Sequence, residues 1–244
     1  MRISSLKQRK RKRKLRVFLC VVILSFYLLN ISIFIPTLII ILFELRSEII
    51  QLYRRMSGKI LFDGYDKLFI KHTKNIKTYG EYGVGNSTVW MYQNTNVKIL
   101  SVDTSKEWIN IVKSKMNNLD RIQLNWIDLG KLVDWGTPAS YEKRDSIKSY
   151  LESIWTNNNK PELILVDGRF RVACFLYSLL KANPGSKIIF DDYNNRLHYH
   201  IIEEFIKPTE VYKNQGLFIV PENLPIDNFF LILLLHKVSP IFHV

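Results

Sequence analysis

Short apolar runs alternate with amphipathic stretches from residue 76 onward. The apolar runs predict strands at Ile76–Tyr82, Val97–Val102, Ile122–Ile127, Leu163–Val166 and Ile188–Phe190. The stretches between them carry helical spacing near Ser87–Gln93, Lys106–Met116, Asp145–Trp155 and Arg169–Lys181. A further helix is expected at Leu197–Ile206, followed by extended segments at Glu210–Tyr212 and Leu217–Val220. The last apolar run, Phe229–Leu235, is too short to span a bilayer and reads as an edge strand. Strands alternating with helices predict an α/β fold, a Rossmann-like three-layer sandwich around a mostly parallel sheet.

The N-terminal quarter follows a different pattern. Residues 17–43 form an uncharged run rich in Val, Ile, Leu and Phe. As a helix rising about 1.5 Å per residue, this run exceeds the roughly 30 Å hydrocarbon core of a bilayer. A transmembrane helix is therefore expected there, with Pro36 tolerated as a kink. Its length and the lack of a small-residue cleavage site argue against a removable leader. Residues 1–16 are a basic tail, placed in the cytosol by the positive-inside rule. Residues 44–58 mix apolar and charged positions and read as a stalk, and the soluble domain then spans 59–244. The expected arrangement is a single-pass type II anchor, Golgi-like in a eukaryote, with a cytosol-facing domain as the alternative.

Charge changes this picture less than its total suggests. The net charge is +13, yet residues 2–16 alone carry nine Lys or Arg and no acid. The remainder holds 26 basic against 22 acidic residues, so the domain is near neutral and nucleic acid is not an expected partner. The expected partners are the lipid bilayer and a hydroxyl-bearing acceptor. With two cysteines, Cys20 and Cys174, no disulfide framework is expected.

The chemistry-bearing residues cluster after the predicted strands. Gly80-Glu81-Tyr82-Gly83-Val84-Gly85-Asn86-Ser87-Thr88 follows the first strand and opens a helix. Glycines let a backbone approach a ligand closely, and a helix N-terminus offers free N–H groups. Asp103 ends the second strand, 20 residues after Gly83. An acid there can accept hydrogen bonds from a ribose diol, or it can cap the next helix. Asp128 follows the third strand, as a ligand contact or a surface turn residue. A dinucleotide site would show a third glycine where Thr88 stands, which disfavours a dinucleotide-dependent sugar-modifying enzyme.

An acid before Gly-x-Gly and a second acid ending the second strand resemble the class I S-adenosylmethionine-dependent methyltransferases. The resemblance covers about residues 76–220. It implies that S-adenosylmethionine is the cofactor, with Glu81 near its methionine amino group, Gly83, Gly85 and Ser87 beneath it, Asp103 on the ribose and Asp128 by the adenine.

Two further strands deliver acids to the same edge. Leu163–Val166 leads into Asp167-Gly168-Arg169-Phe170-Arg171, and Ile188–Phe190 leads into Asp191 and Asp192. Asp167, Asp191 and Asp192 could together hold a divalent cation, as in catechol O-methyltransferase-like enzymes. One of them, or a histidine, could instead be the general base for a hydroxyl, in the order Asp167, Asp192, His198. The third reading is structural pairing with the arginines. His198 and His200 lie two apart on the expected helix, so at most one faces the site. Asp167 is also expected to touch the cofactor.

The segment Phe190–Ile206, reading FDDYNNRLHYHIIEEFI, is similar to part of the plant glucuronoxylan 4-O-methyltransferases. These are type II Golgi proteins that methylate a polysaccharide sugar. Asp191 stands where that family has His. The resemblance implies a membrane-anchored O-methyltransferase acting on a glycan or another hydroxyl compound. The alternative is a membrane-tethered binding or scaffold protein on a degenerate Rossmann-like domain. Trp135, Tyr141 and Trp155 are candidates for stacking on a sugar, with core packing as their other use. Asn86-Ser87-Thr88 is also a glycosylation sequon.

Overall fold

The computed structural model describes residues 14–15, 17–22, 61–133, 136–155 and 160–223. The chain divides into two compact units, Met1–Met56 and Ser57–Val244. In the first unit, residues 14–15 and 17–22 are helical, and the rest of the expected span and the stalk lie outside the described residues. Among the described residues no helix is long and apolar enough to cross a membrane. The expected edge strand Phe229–Leu235 also lies outside them.

The second unit is built on seven strands: β1 (Thr78–Tyr82), β2 (Lys98–Asp103), β3 (Ile122–Trp126), β6 (Leu163–Val166), β7 (Lys187–Phe190), β8 (Glu210–Tyr212) and β9 (Gln215–Ile219). Their order in the sheet is β3-β2-β1-β6-β7-β9-β8. The first five are parallel. β9 runs antiparallel to β7, and β8 antiparallel to β9. Two-residue strands β4 (Leu132–Val133) and β5 (Thr137–Pro138) form a separate antiparallel pair. The helices are α1 (Lys67–His72), α2 (Asn86–Asn94), α3 (Lys106–Lys113), α4 (Ser146–Glu152) and α5 (Arg171–Lys181).

Strand β6 shows why the pattern encodes this sheet. It is paired on both sides and buried at all four residues, so it reads as a continuous apolar run. Alternate side chains serve opposite faces. Leu163 and Leu165 pack with Phe69, Tyr79 and Met91, whereas Ile164 and Val166 pack with Tyr150, Phe175 and Phe190. Each such buried side chain is worth roughly 1.5–3 kcal/mol relative to exposure. α5 buries eight residues from Arg171 to Leu179 against the second face.

Most expected elements stand within one or two residues of their predicted bounds. The segment expected as a helix at Leu197–Ile206 is instead a 3-10 helix, Leu197–Glu204. The predicted helix Asp145–Trp155 is α4 followed by a 3-10 turn at Ser153–Trp155. Neither α1 nor the β4–β5 hairpin had been expected. α1 is six residues long, and each strand of the hairpin is two, below the length at which periodicity is visible.

Candidate active site

The sheet register aligns the chemically interesting residues. Tyr82 pairs with Val102 and with Val166, and Val166 pairs with Phe190. One residue further on, Asp103, Gly83, Asp167 and Asp191 occupy successive tips of β2, β1, β6 and β7. The chain turns outward in opposite directions from β1 and β6, making this edge the topological switch point where open α/β sheets bind ligands.

The glycine turn after β1 has two glycines with different jobs. Gly83 has φ +100°, and a Cβ there would lie 2.7 Å from the backbone nitrogen of Gly168. Reciprocally, a Cβ on Gly168 would lie 2.7 Å from the Gly83 nitrogen and 2.3 Å from the Tyr150 hydroxyl. These two glycines let the β1 and β6 loops touch backbone to backbone. Gly85 is different, because a Cβ there would meet nothing within 4 Å. It leaves an open cradle beside the N-terminus of α2.

Glu81 and Ser87 lie beneath that turn, bonded to each other. Glu81 is fully buried, and four hydroxyls saturate its carboxylate. Tyr79 Oη donates to Oε1 at 3.0 Å and Ser101 Oγ to Oε2 at 3.1 Å. Ser87 Oγ donates to Oε1 and Thr88 Oγ1 to Oε2. The Gly85 N–H in turn donates to Thr88 Oγ1 at 3.0 Å. Through these bonds Glu81, Ser87 and Thr88 pin α2 and the glycine turn to β1. Burial pushes the Glu81 carboxyl up to about 7, against the pull of its four hydroxyl donors. Thr88, the third sequon residue, is itself fully buried.

Asp103 is held in a different way. Its Oδ2 accepts from the Val84 N–H and its Oδ1 from the Ser105 N–H, each at 2.7 Å. The cap of α3 is Ser105, whose Oγ accepts from the Trp108 N–H at 3.2 Å. Asp103 thus fastens the glycine turn to the tip of β2 and keeps free lone pairs for a diol. Burial raises its carboxyl, against the pull of those backbone donors and of nearby Arg169. Asp128, two residues past β3, pairs with the Lys143 ammonium, and its Oδ1 accepts from the Gly130 N–H at 2.9 Å.

At the tips of β6 and β7 the buried Arg171 gathers the acids. It donates to Asp167 Oδ1 at 2.9 Å, to Asp192 Oδ2 at 3.1 Å and to the Asp191 carbonyl at 2.7 Å. Asp192 Oδ2 also takes Arg196 at 2.9 Å. Asp191 Oδ1 accepts from Gln215 Nε2 at 2.9 Å. Burial raises Asp191 well above the ordinary carboxylate range, and Asp167 beside it adds to the rise. Asp167 is also raised by desolvation, against the attraction of Arg171, and bonds the Asp191 carboxyl.

Asp167, Asp191 and Asp192 do not fit a cation. The guanidinium of Arg171 already lies between Asp167 and Asp192, and Asp191 is turned to Gln215. Among the described residues no group of three His, Cys, Asp or Glu could hold a metal ion. Structural pairing with arginine is the arrangement present. Asp167 still keeps 34% of its side chain exposed, whereas Arg171 keeps 6%. Asp192 has φ +59° and both of its salt bridges on one oxygen. His198 is exposed against the Tyr199 ring, while His200 stacks on Tyr193 at 4.6 Å.

Sequence reasoning left several residues of this edge without a role. Arg169 reaches from the β6 tip to Thr137 of the hairpin, its Nη1 donating to Oγ1 at 3.2 Å. Tyr150 accepts from the Arg169 backbone N–H at 3.3 Å. Gln215 is fully buried on β9, and Trp126 is 40% exposed at the end of β3, opposite Asp103. Only Arg169 carried a sequence signal, its place two residues after a strand-tip acid. Of the expected stacking aromatics, Trp155 packs on the core and donates to Tyr82 Oη at 2.7 Å. Tyr141 is exposed, and Trp135 lies outside the described residues.

No family model and no curated protein matches the chain. Solved structures do. A methyltransferase-like protein from Silicibacter pomeroyi shares 27% identity over 71% of this chain and 93% of its own, with a TM-score of 0.63. An O-methyltransferase from Bacillus cereus in complex with S-adenosylhomocysteine shares 16% identity over 72% of this chain and 80% of its own, at a TM-score of 0.41. The O-methyltransferase TomG from Streptomyces achromogenes, with S-adenosylmethionine, shares 11% over 63% and 77%, at 0.44. The first of these supports a methyltransferase-like Rossmann fold. The narrower likeness to plant glucuronoxylan enzymes finds no support in them.

Proposed function

We propose that the chain is an S-adenosylmethionine-dependent O-methyltransferase, held at a membrane through residues 17–43 and acting on a hydroxyl of a glycan or small molecule. The observation that carries the reading is the open cradle at Gly85, set at the sheet's switch point beside Asp103. In it, a nucleoside would lie along the glycine turn, its ribose diol on Asp103 and its base toward Asp128. Glu81, Ser87 and Thr88 position that turn from beneath. The uncharged N-terminal run supports the membrane reading, and the resemblance of Phe190–Ile206 supports the glycan.

The cofactor, when bound, supplies an electrophilic methyl on a sulfonium. The protein's part is to align the acceptor oxygen in line with it and to take the hydroxyl proton as the oxygen–carbon bond forms and the carbon–sulfur bond breaks to leave a neutral thioether. Asp167 is the base best placed for this. It keeps a third of its side chain open at the switch point, and desolvation has raised its proton affinity. Arg171 orients it, and Asp191 lies behind it as a partner for the proton. Asp192 is committed to two arginines, which leaves it a positioning role. No divalent cation enters this reading, because Arg171 already provides the positive charge among the acids.

The decisive test is calorimetric titration of S-adenosylhomocysteine into the full-length chain in mild detergent, with Asp103→Ala beside it. Micromolar binding that is lost in a variant of normal melting temperature is the expected result. No binding by a folded chain would sink the methyltransferase reading and favour the scaffold.

A further inference from the structure

Among the described residues Arg169 has no ionic partner. It stands three residues past β6, and its neighbour Gly168 packs against Gly83 of the β1 turn. From there its side chain reaches Thr137. That hairpin is in turn fastened to the β2 tip, where Thr104 Oγ1 donates to the Gly136 carbonyl at 2.9 Å. In sheet order β1 lies between β2 and β6, so Arg169 crosses over the glycine turn. Its charge is felt by Asp103 on one side and by Asp167 on the other.

Neither acid takes the guanidinium. Both Asp103 oxygens accept backbone N–H groups, and Asp167 is bound to Arg171 and Asp191. Among the described residues Arg169 makes no salt bridge, and its guanidinium donates only to one neutral hydroxyl. A guanidinium carries five N–H donors in a fixed fork, and leaving them half-buried without acceptors costs stability. Desolvation indeed lowers the proton affinity of Arg169. The neighbouring Phe170 adopts a left-handed conformation (φ +53°), a strained geometry of the sort that gathers at functional sites.

We infer that Arg169 is a carboxylate receptor, binding a ligand carboxylate through its planar fork across the glycine turn. A monoanionic, planar group fits better than a phosphate, because Asp103 and Asp167 flank the position and would repel a dianion. The inference rests on the cofactor reading above. The carboxylate comes from one of two sources: the amino-acid end of the cofactor, or an acidic acceptor.

The test compares S-adenosylhomocysteine with its decarboxylated analogue on the full-length chain, in wild type and in Arg169→Gln. If the cofactor is the source, wild type prefers S-adenosylhomocysteine at least about tenfold and the variant loses that preference, a difference of about 1.4 kcal/mol. If the acceptor is the source, both adenosyl ligands bind alike in both proteins. The chain saturated with S-adenosylhomocysteine then binds acetate or succinate in wild type and not in Arg169→Gln. Arg169→Lys, keeping charge without the fork, recovers part of the lost binding in either case. Matching melting temperatures guard against misfolding. If wild type and Arg169→Gln bind S-adenosylhomocysteine, its analogue and the carboxylates equally, this inference is overturned and the cofactor reading stands. A folded wild type that binds no S-adenosylhomocysteine overturns both.

Discussion

Two acids of adjacent strands, Glu81 within β1 and Asp167 just past β6, both have their proton affinity raised by desolvation, yet the protein uses them in opposite ways. Glu81 points to the face covered by α2 and spends every lone pair on a hydroxyl of the protein. Asp167 sits one step beyond its strand, shares a charged clamp with Asp192 and keeps a third of its side chain open. A carboxylate with saturated acceptors and no exposure can only hold structure. One that stays partly open at the sheet edge can do chemistry. Glu81 is aligned with Leu165, so two steps of register along the sheet separate these fates.

The largest effect that would break this comparison is at Asp167. Asp167→Asn should lower methyl transfer by roughly 10²- to 10⁴-fold, the ordinary worth of a general base, with S-adenosylhomocysteine binding retained. Loss of binding with unchanged turnover would move Asp167 to a purely cofactor-holding role. Because desolvation raises its proton affinity, the rate should climb with pH across a range above the usual carboxylate one, as the base loses its proton. The variant should lack that limb of the pH–rate profile.

Glu81 should answer through stability instead. Its folded carboxyl titrates near 7 against an ordinary value of 4.5. The native state therefore holds a proton that the unfolded state has released between these values. Its contribution is fully present below about pH 4.5 and is lost as the pH rises through 7, by about 3 kcal/mol in all. Glu81→Gln should flatten that part of the melting-temperature curve. An unaltered slope would show that Glu81 is charged throughout and that the hydroxyl shell outweighs burial.

The two turn glycines sharpen the contrast at smaller scale. Gly83→Ala meets both a positive φ and the Gly168 backbone, and should cost about 2–3 kcal/mol in urea unfolding. Gly85→Ala meets open space and should leave unfolding unchanged while weakening S-adenosylhomocysteine about tenfold. Equal effects of the two on both readouts would remove the distinction between scaffold and cradle.

Much of the fold was legible because its signals are local. β6 is buried on both faces, so its run Leu163–Val166 is apolar without interruption, and parallel strands paired with helices leave a repeating pattern. The glycine turn and the strand-tip acids Asp103, Asp167 and Asp191 were legible for the same reason, since ligand sites of such sheets fall where strands end. The sequence by itself thus determined which strands form and which residues stand at their tips. Only the tertiary structure decided what those residues touch. That Glu81 turns inward, that Arg171 lies between Asp167 and Asp192, that Gln215 backs Asp191 and that Arg169 bridges to Thr137 all depend on contacts between residues 20 or more apart in the chain for most pairs. Such contacts are fixed by strand order and by which face of the sheet each helix covers, and neither leaves a mark in the local pattern of apolar and polar positions.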